Sequence, residues 1–235
     1  LFARSKDLRG AVIATPQNLH RPLAEACLRK GIAVLSEKPI AHTMGDADSM
    51  LHVAEEFSAL PAAVAYMKAH YPIYRRLQAL LAAEVVGPIE KVRARSLFGQ
   101  VLRPHKGWIY DPAFSGGGVL INSACHLLHI LHFLFGPAGT VEASTKHIHS
   151  VKVEDEALLA IEFQSGVKSE FTASWSTPGY DTEFSEITIE GENGKLRATD
   201  DVIELDLEEA AAGVDAGPTK IRRWDLEQAA FNLSP

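Results

Sequence analysis

The sequence has little cysteine, little positive charge and no long apolar run. Its 235 residues include only two cysteines, Cys27 and Cys125, which are too few and too far apart for a disulfide framework or a zinc knuckle. Lys and Arg number 23 against 30 Asp and Glu, so the net charge of −7 offers no basic surface for nucleic acid. Apolar runs such as Ile130–Phe135 are interrupted by His and fall short of the ~20 residues of a membrane span. We therefore expect a cytoplasmic protein that binds neither nucleic acid nor membrane.

Strand and helix signals alternate in the first part of the chain. The apolar runs that predict strands and the amphipathic stretches that predict helices are, in order, 11–14, 19–30, 32–35, 44–58 and 62–66. This alternation predicts a parallel α/β sheet, in which ligands bind at the carboxyl ends of the strands. Thr15 and Lys38 both follow such strands.

Strand signals follow one another in the second part, after a helical stretch at 72–83 and the break at Gly87-Pro88. The strand-like runs are 89–98, 140–149, 156–163, 167–175, 185–190, 195–198 and 202–207. Because no helical pattern separates the later runs, we expect a mostly antiparallel sheet with a helix packed on one face. Residues 208–219, rich in Ala, Gly and acidic side chains, are predicted to form a loop or a hairpin tip.

The stretch from Gly116 to Gly136 predicts a buried helix with a polar row. At about 100° per residue, Asn122, His126 and His129 fall on one stripe among Leu, Ile and Phe. Unpaired polar groups in an apolar interior cost about 1–3 kcal/mol each, so such a row needs partners or a ligand. We interpret the row as the wall of a binding cleft; the alternative is a set of core histidines bonded to the neighbouring backbone.

Four ordered motifs together resemble the Gfo/Idh/MocA oxidoreductases. They are Ala11–Pro16 with His20, then Glu37-Lys38-Pro39, then Gly116–Gly118 followed by Asn122 and His126, and finally Val153–Asp155. The resemblance implies the second part of a Rossmann domain for NAD or NADP in residues 1–67. It implies an α+β domain with a large open sheet in residues 68–235, which binds substrate and forms a homodimer or homotetramer through the sheet face.

The resemblance also implies an active site. It places Lys38 beside the nicotinamide, makes His126 the histidine that faces the substrate, and favours a cis bond between Lys38 and Pro39. The cofactor residues that it implies are Thr15, Pro16, Asn18, His20, Glu37, Lys38 and Pro39. A neutral His suits the role of proton acceptor during hydride transfer, and the Lys38 ammonium suits stabilisation of an alkoxide.

The substrate implied is a secondary alcohol on a sugar, a cyclitol or a nucleotide sugar. Trp108 is predicted to be an apolar platform for a ring face, and Tyr66 and His70 are further candidate contacts. His129 stands where the family often has Asp, and it either contacts substrate or fills the interior. Residues 99–115 are expected to select among substrates.

Two departures from the family pattern matter. Asn122 stands where many members have Asp, and because Asn cannot hold a proton, a carboxylate–His relay is in doubt, although we expect Asp to be tolerated there. No Gly-x-Gly-x-x-Gly turn occurs, so these residues alone should bind NAD(H) poorly. We expect about sixty further residues upstream, corresponding to two strand–helix units. The alternative is a non-catalytic oligomeric or binding protein that has lost the dinucleotide site.

A metal-dependent hydrolase is the remaining alternative. His126, His129 and His132 are spaced by threes, and imidazole is a zinc ligand. However, His132 points about 100° away from His126 around the helix axis, and no His-Glu-x-x-His motif occurs. We therefore expect no metal site.

Overall fold

The computed structural model describes residues 7–102 and 106–232. The ends of the chain and residues 103–105, which belong to the predicted substrate-selecting segment, lie outside the described residues. The first domain is a parallel three-stranded sheet in the order β1 (Gly10–Ile13), β2 (Ala33–Ser36), β3 (Ala62–Val64), and we name it the three-stranded domain. Helices α1 (His20–Leu28) and α2 (Met44–Glu56) connect its strands. The α/β prediction for this part is confirmed.

One face of the three-stranded sheet is covered by its helices. Ile13 and Val34 are buried there against Leu28 and Met50, because alternate strand residues point to the same face. Helix α2 begins at Thr43, whose hydroxyl oxygen accepts a hydrogen bond from the Asp46 N–H at 3.1 Å. The helical stretch predicted at 19–30 is shorter in the structure, because a 3₁₀ turn precedes it and the helix ends at Leu28.

The second domain, the eight-stranded domain, is built on one large sheet. Its strands are β4 (Ile89–Leu97), β5 (Ala138–Lys146), β6 (Glu156–Phe163), β7 (Lys168–Ser174), β8 (Phe184–Gly191), β9 (Gly194–Thr199), β10 (Val202–Leu207) and β11 (Gly217–Arg222). They are ordered β11-β10-β9-β8-β4-β7-β6-β5, and every neighbouring pair is antiparallel except β4 and β7. The prediction of a mostly antiparallel sheet is confirmed.

Helices α3 (Pro72–Ala82) and α5 (Cys125–Phe135) pack on the inner face of this sheet. Leu77 and Leu127 have no exposed surface, and Phe171 from the sheet is 1% exposed. The stretch Pro112–Phe135, which includes the short helix α4 (Pro112–Ser115), has a length and a mean hydropathy of 1.5 that a membrane span would show. Of its most apolar 18 residues, 56% are buried in the described fold, and the stretch is broken at the glycines, which is the pattern of a core helix.

The outer face of the sheet carries a row of ion pairs between neighbouring strands. Glu186 is 5% exposed and lies between Arg95 and Arg197, with the Arg197 Nε 2.5 Å from its carboxylate. Burial by itself raises the pKa of Glu186, but the two guanidinium groups outweigh it and hold the pKa below its usual range. Glu204 continues the row, accepting hydrogen bonds from Arg197 and Lys220 at 2.8 Å each. This face is therefore charged.

Two predictions for the second domain were wrong at their ends. The predicted loop 208–219 contains the start of β11, which is followed by helix α6 (Arg223–Asn232). The sequence pattern did not predict this edge strand, because the strand begins with Gly217-Pro218 and few of its side chains are apolar. The strand predicted at 140–149 stops at Lys146, because the buried Asp155 carboxylate accepts hydrogen bonds from the N–H groups of residues 148, 149 and 150 and turns the chain.

Candidate active site

The helix that carries the candidate residues begins at glycines packed against other backbone. A Cβ on Gly116 would lie 2.0 Å from the His42 carbonyl oxygen, and a Cβ on Gly118 would lie 1.8 Å from that of Glu154. The Glu154 carboxylate accepts hydrogen bonds from the N–H groups of Gly118 at 2.8 Å and Leu120 at 3.1 Å. A negative group that pairs the free N–H groups at a helix start is stabilising. These contacts fix where the helix enters the site.

The first turn of this helix differs from the uniform α-helix predicted from the sequence. Leu120–Ala124 is π-helical, and α5 begins only at Cys125. The main-chain oxygen of Asn122 in this turn accepts a hydrogen bond from the Lys38 Nζ at 2.5 Å. Single π turns occur frequently at functional sites. Lys38 is thus held against the turn that carries Asn122.

The side chain of Asn122 is fully engaged by the protein. Its amide nitrogen donates to the carbonyl oxygens of Gly117 and Gly118 at 3.1 and 3.0 Å, and its oxygen accepts from the Gln17 Nε2 at 2.7 Å. An Asp at 122 would set a carboxylate against two carbonyl oxygens. This geometry argues against the tolerance of Asp that the sequence led us to expect.

A cavity of about 340 Å³ lies between the two domains. Its lining includes Thr15, Gln17, Glu37, Lys38, Trp108 and Asn122. Thr15 and Lys38 follow the carboxyl ends of β1 and β2, as the α/β pattern indicated. Trp108 is 38% exposed beside them, and Trp175 forms a buried wall whose indole N–H donates to the Ser123 hydroxyl at 2.7 Å. The structure therefore brings Thr15, Lys38, Trp108 and Asn122 together.

Several polar atoms beside β1 are buried without a hydrogen-bond partner in the described part of the chain. They are the hydroxyl of Thr15, the amide oxygen of Gln17 and the amide oxygen of Asn18. Because a buried polar atom left unpaired is costly, these groups fit contact with a polar ligand. The residues present thus suit the nicotinamide side of a dinucleotide, with Thr15 and Lys38 as the groups that would hold it.

His20 and the Lys38–Pro39 bond shape the two loops at the cavity. The bond is cis, as the family resemblance implied. The His20 imidazole has no exposed surface, and its ring nitrogens lie 2.9 Å from the Pro39 carbonyl oxygen and 3.1 Å from that of Thr15. The assignment of His20 as a cofactor residue stays a prediction. His20 would act by holding in place the loops that carry Thr15 and Pro39.

The other predicted cofactor residues lie on the same two loops. Pro16 is half-buried beside Thr15, and Pro39 is buried behind Lys38. Glu37 is exposed at the cavity, and its carboxylate accepts a hydrogen bond from the Lys38 N–H at 3.2 Å. Their contacts with a cofactor stay predictions.

His126 and His129 lie outside the lining of the 340 Å³ cavity, in a cluster with Tyr66. The Tyr66 ring stacks on His129 with centroids 4.4 Å apart and meets His126 edge-on at 6.1 Å. His126 is 5% exposed, and its Nδ1 has no hydrogen-bond partner among the described residues. Burial, followed by the ammonium groups of Lys38 and Lys68, lowers the pKa of His126 to about 4. The imidazole is therefore neutral at pH 7.

The remaining candidates surround this cluster. Burial, followed by His132 and His70, lowers the pKa of His129. Burial and the neighbouring Cys125 raise the pKa of Tyr66 to about 12, so its hydroxyl is a donor at neutral pH. His70 is exposed. The predicted polar row is thus divided: Asn122 lines the cavity, whereas the two histidines face Tyr66.

Sequence reasoning missed Gln17, Lys68 and Asp200. Gln17 and Lys68 follow β1 and β3, so the strand-end argument that selected Thr15 and Lys38 could have found them. Lys68 is 5% exposed, and its Nζ donates to Asp200 at 2.9 Å. Asp200 lies in the turn between β9 and β10, where no sequence signal marks it.

Within residues 7–102 and 106–232, no three His, Cys, Asp or Glu side chains form a group that could hold a metal ion. His126 and His129 pack against Tyr66 instead. The geometry of the described residues gives no support to the hydrolase alternative.

Comparison with known families matches both domains. The family described as "Oxidoreductase family, NAD-binding Rossmann fold" matches residues 2–66. The family described as "GFO/IDH/MocA C-terminal domain" matches residues 74–197, which is more than half of the chain.

The chain is also similar to individual oxidoreductases. The chain is 29% identical over 194 residues to 1,5-anhydro-D-fructose reductase of Ensifer adhaerens, covering 81% of this chain and 56% of that protein. It is 28% identical over 204 residues to trans-1,2-dihydrobenzene-1,2-diol dehydrogenase of Bos taurus, covering 85% of this chain and 57% of that protein. The solved structure of levoglucosan dehydrogenase in complex with NADH superposes with a TM-score of 0.84 at 21% identity, covering 93% of this chain and 62% of that one. The chain thus spans little more than half the length of these relatives.

Proposed function

Because the chain belongs to the Gfo/Idh/MocA oxidoreductase family, we propose that it forms the substrate side of an NAD-dependent oxidoreductase. The reaction is hydride transfer between the nicotinamide cofactor and a secondary alcohol of a polyhydroxylated substrate. The observation that carries the proposal is the meeting of Thr15, Lys38, Trp108 and Asn122 around one cavity at the carboxyl ends of the parallel strands.

A bound nicotinamide would supply the hydride acceptor. Residues of this chain would bind the substrate oxygen and accept its proton. The Lys38 ammonium uses one donor on the Asn122 carbonyl oxygen and has further donors for the substrate oxygen, where negative charge develops. His126, which is kept neutral by burial and by neighbouring ammonium groups, is the proposed acceptor of the hydroxyl proton, although it lies outside the lining of the 340 Å³ cavity. Asn122 and Gln17 keep the π turn, and with it Lys38, in place.

The substrate proposed is a sugar, a cyclitol or a nucleotide sugar. The half-exposed face of Trp108 and the polar groups of Lys38 and Glu37 suit a ligand with an apolar ring face and hydroxyl edges. The names of two relatives, an anhydrofructose reductase and a dihydrobenzenediol dehydrogenase, support a vicinal hydroxyl compound. The cofactor proposed is NAD or NADP, and the description of the matching family as an NAD-binding Rossmann fold supports a dinucleotide of this kind.

We also propose that the protein forms homo-oligomers through the outer sheet face and that it is cytoplasmic.

The second candidate function is a non-catalytic binding protein of the same fold. One observation favours it: the sequence contains no Gly-x-Gly-x-x-Gly turn for the pyrophosphate.

Cofactor binding and turnover separate the two functions. The 235-residue chain, and any longer product of its gene, is titrated with NADH by calorimetry and assayed for NAD reduction with a panel of sugars, cyclitols and diols. We expect weak NADH binding by the 235 residues and turnover of a polyol where the glycine turn is present. Lys38→Met should abolish turnover, whereas Lys30→Met should not. Absence of both NADH binding and NAD reduction with every polyol, in every form tested, would leave only the binding-protein function.

A further inference from the structure

Ser123 is a cavity residue to which the proposed mechanism has given no role. It follows Asn122 in the π turn, and it lines the 340 Å³ cavity together with Trp108 and Trp175. The residue is buried, with 7% of its surface exposed. Its hydroxyl oxygen accepts a hydrogen bond from the Trp175 indole N–H at 2.7 Å. A hydrogen-bonded pair of polar groups is thus built into the wall of the cavity.

The bond to Trp175 determines how the Ser123 hydroxyl can be used. A serine hydroxyl has one donor and two acceptor positions, whereas an indole N–H can only donate. Trp175 therefore takes an acceptor position of the Ser123 oxygen and leaves the hydroxyl proton available. Within residues 7–102 and 106–232, this hydroxyl donates to no other group. Because a buried donor without an acceptor is costly, the proton fits contact with an oxygen of a ligand.

Trp175 is itself held in place by the surrounding fold. It has no exposed surface, its main-chain N–H donates to the Asp155 carbonyl oxygen at 2.7 Å, and its ring meets the Tyr110 ring edge-on at 5.9 Å. The Tyr110 hydroxyl accepts a hydrogen bond from the Gln100 Nε2 at 3.0 Å. The Ser123 hydroxyl is therefore positioned before a ligand arrives, and a pre-positioned donor loses little freedom on binding.

Ser123 is also next to the group proposed to bind the reacting oxygen. The Lys38 Nζ donates to the main-chain oxygen of Asn122, and the carbonyl carbon of Asn122 is bonded to the Ser123 nitrogen. Lys38 and Ser123 both line the cavity, so they present two donors from neighbouring points of one wall. A substrate with oxygens on adjacent carbons can accept from both, whereas a simple alcohol can accept from only one.

We propose that Ser123 is a substrate-binding residue that sets specificity, because its hydroxyl donates to the substrate oxygen on the carbon next to the reacting one. The substrate class that this contact selects is a vicinal diol, as found in sugars and cyclitols. The inference rests on the proposed function, which places the reacting oxygen at Lys38. The competing role for Ser123 is structural: it would serve only as the acceptor for the Trp175 indole N–H.

The three tryptophans of the chain allow a binding test by nuclear magnetic resonance without cofactor. In the ¹⁵N-labelled 235-residue chain each indole N–H gives one cross-peak, and the three single Trp→Phe variants assign them. Trp108 and Trp175 line the cavity, whereas Trp224 lies on α6, is 65% exposed and serves as an internal reference. The probes are trans-cyclohexane-1,2-diol and cyclohexanol, which share a ring and differ by one hydroxyl group.

We expect the diol to move the cross-peaks of Trp108 and Trp175 and not that of Trp224. The Trp175 indole proton should shift downfield, because a Ser123 hydroxyl that donates to the ligand becomes a better acceptor. The ratio of diol affinity to cyclohexanol affinity is taken from the Trp108 shifts. In Ser123→Ala this ratio should fall about five- to tenfold, which is the effect of one neutral hydrogen bond.

Ser49→Ala is the matched control, because the Ser49 hydroxyl donates to Glu25 at 2.8 Å in helix α2, outside the cavity lining. It should leave the affinity ratio unchanged. A ratio in Ser123→Ala within about twofold of the parent would overturn the inference and leave Ser123 its structural role. A parent Trp175 cross-peak that the diol does not move at its solubility limit would also overturn it.

Loss of folding in Ser123→Ala, checked by circular dichroism, is met by a second pair of variants. Trp175→Phe removes the indole N–H that Ser123→Ala would leave unpaired. The ratio from the Trp108 shifts is then compared between Trp175→Phe and Ser123→Ala/Trp175→Phe. The same fall in the ratio supports the inference, and an equal ratio in the two variants contradicts it.

This readout is independent of turnover. A parent that transfers no hydride with any polyol, but whose preference for the diol depends on Ser123, would refute the proposed function and not the binding role of Ser123. An active parent whose affinity ratio is the same in Ser123→Ala would refute the binding role alone.

Discussion

His126 is a weak base in a buried setting. Burial and two ammonium groups lower its pKa to about 4, so it stays neutral through the physiological range. A neutral imidazole can accept a proton at every pH above its pKa, but its low basicity reduces the driving force for that transfer. In the proposed mechanism Lys38 then matters more, because stabilising the alkoxide lowers the demand on the base.

Substitution of His126 tests its role in proton transfer. His126→Asn should lower the rate of single-turnover hydride transfer by about 10²–10⁴ in the NAD-loaded enzyme, because no group then takes the hydroxyl proton. His132→Asn, an exposed histidine on the same helix, is the control. A low pKa also predicts that activity falls on the acid side only as the pH approaches 4, where the imidazole becomes protonated. A His126→Asn rate within a few-fold of the parent would identify Lys38 as the proton acceptor.

Asn122→Asp tests whether the hydrogen bonds made by the Asn122 side chain require its amide group. Because the side chain donates to two carbonyl oxygens, we expect a loss of about 1–3 kcal/mol in the free energy of unfolding at pH 7. The introduced carboxyl group fits between two carbonyl oxygens better when it is protonated, so its pKa is higher in the folded state than in the unfolded state. The loss in the free energy of unfolding should therefore shrink as the pH falls toward 4. Urea unfolding at pH 4.5 and 7 measures this, and equal stability of variant and parent at pH 7 would contradict it.

At the scale of elements, the entry of α5 depends on close backbone contact at Gly118. Gly118→Ala would place a methyl group 1.8 Å from the Glu154 carbonyl oxygen, and the two segments would have to separate. We expect a loss of about 3 kcal/mol or more in the free energy of unfolding, at the upper end of overpacking effects. Urea unfolding followed by circular dichroism measures the change.

Gly45→Ala in helix α2 is the matched control for that substitution. No atom lies within 4 Å of the added methyl group, and Ala favours helix by up to about 1 kcal/mol over Gly. Its stability should equal or exceed that of the parent. If Gly118→Ala were as stable as Gly45→Ala, the close contact with Glu154 would not govern the start of the helix.

At the scale of the whole molecule, the charged outer face of the sheet is the surface proposed for self-association. Arg93 on this face pairs with Glu190 at 2.8 Å and with Glu170 at 3.4 Å, and it remains 44% exposed. We expect light scattering to show a dimer or tetramer that dissociates as salt is raised, because surface ion pairs are screened. Arg93→Glu should shift the protein toward monomer at low salt.

The control for the charge reversal lies in the other domain. Arg29 is a similarly exposed arginine that pairs with Glu56, so Arg29→Glu makes the same change of charge away from the sheet face. It should leave the oligomeric state unchanged. A parent that is monomeric at micromolar concentration and low salt would contradict the proposed assembly.

The sequence by itself determined the elements with regular patterns and the residues at strand ends. The bounds of β6 and β10 agree with the predicted runs 156–163 and 202–207, because alternation of apolar and polar side chains follows directly from strand geometry. Thr15 and Lys38 could be placed in one site because parallel strands end at one edge of their sheet. The weakly patterned β11 could not be predicted in this way.

Tertiary structure alone decided which groups surround His126 and where the polar row of its helix points. Lys68 meets Ser185 and Asp200 across 117 and 132 residues of sequence, a separation over which no local periodicity carries information. The π turn arises where Lys38 and Gln17 from the other domain bind Asn122, so a helical pattern read at 100° per residue misplaces that side chain relative to the histidines. Local patterns report which face of an element is buried, whereas the field at a buried imidazole depends on charges that only the folded chain brings together.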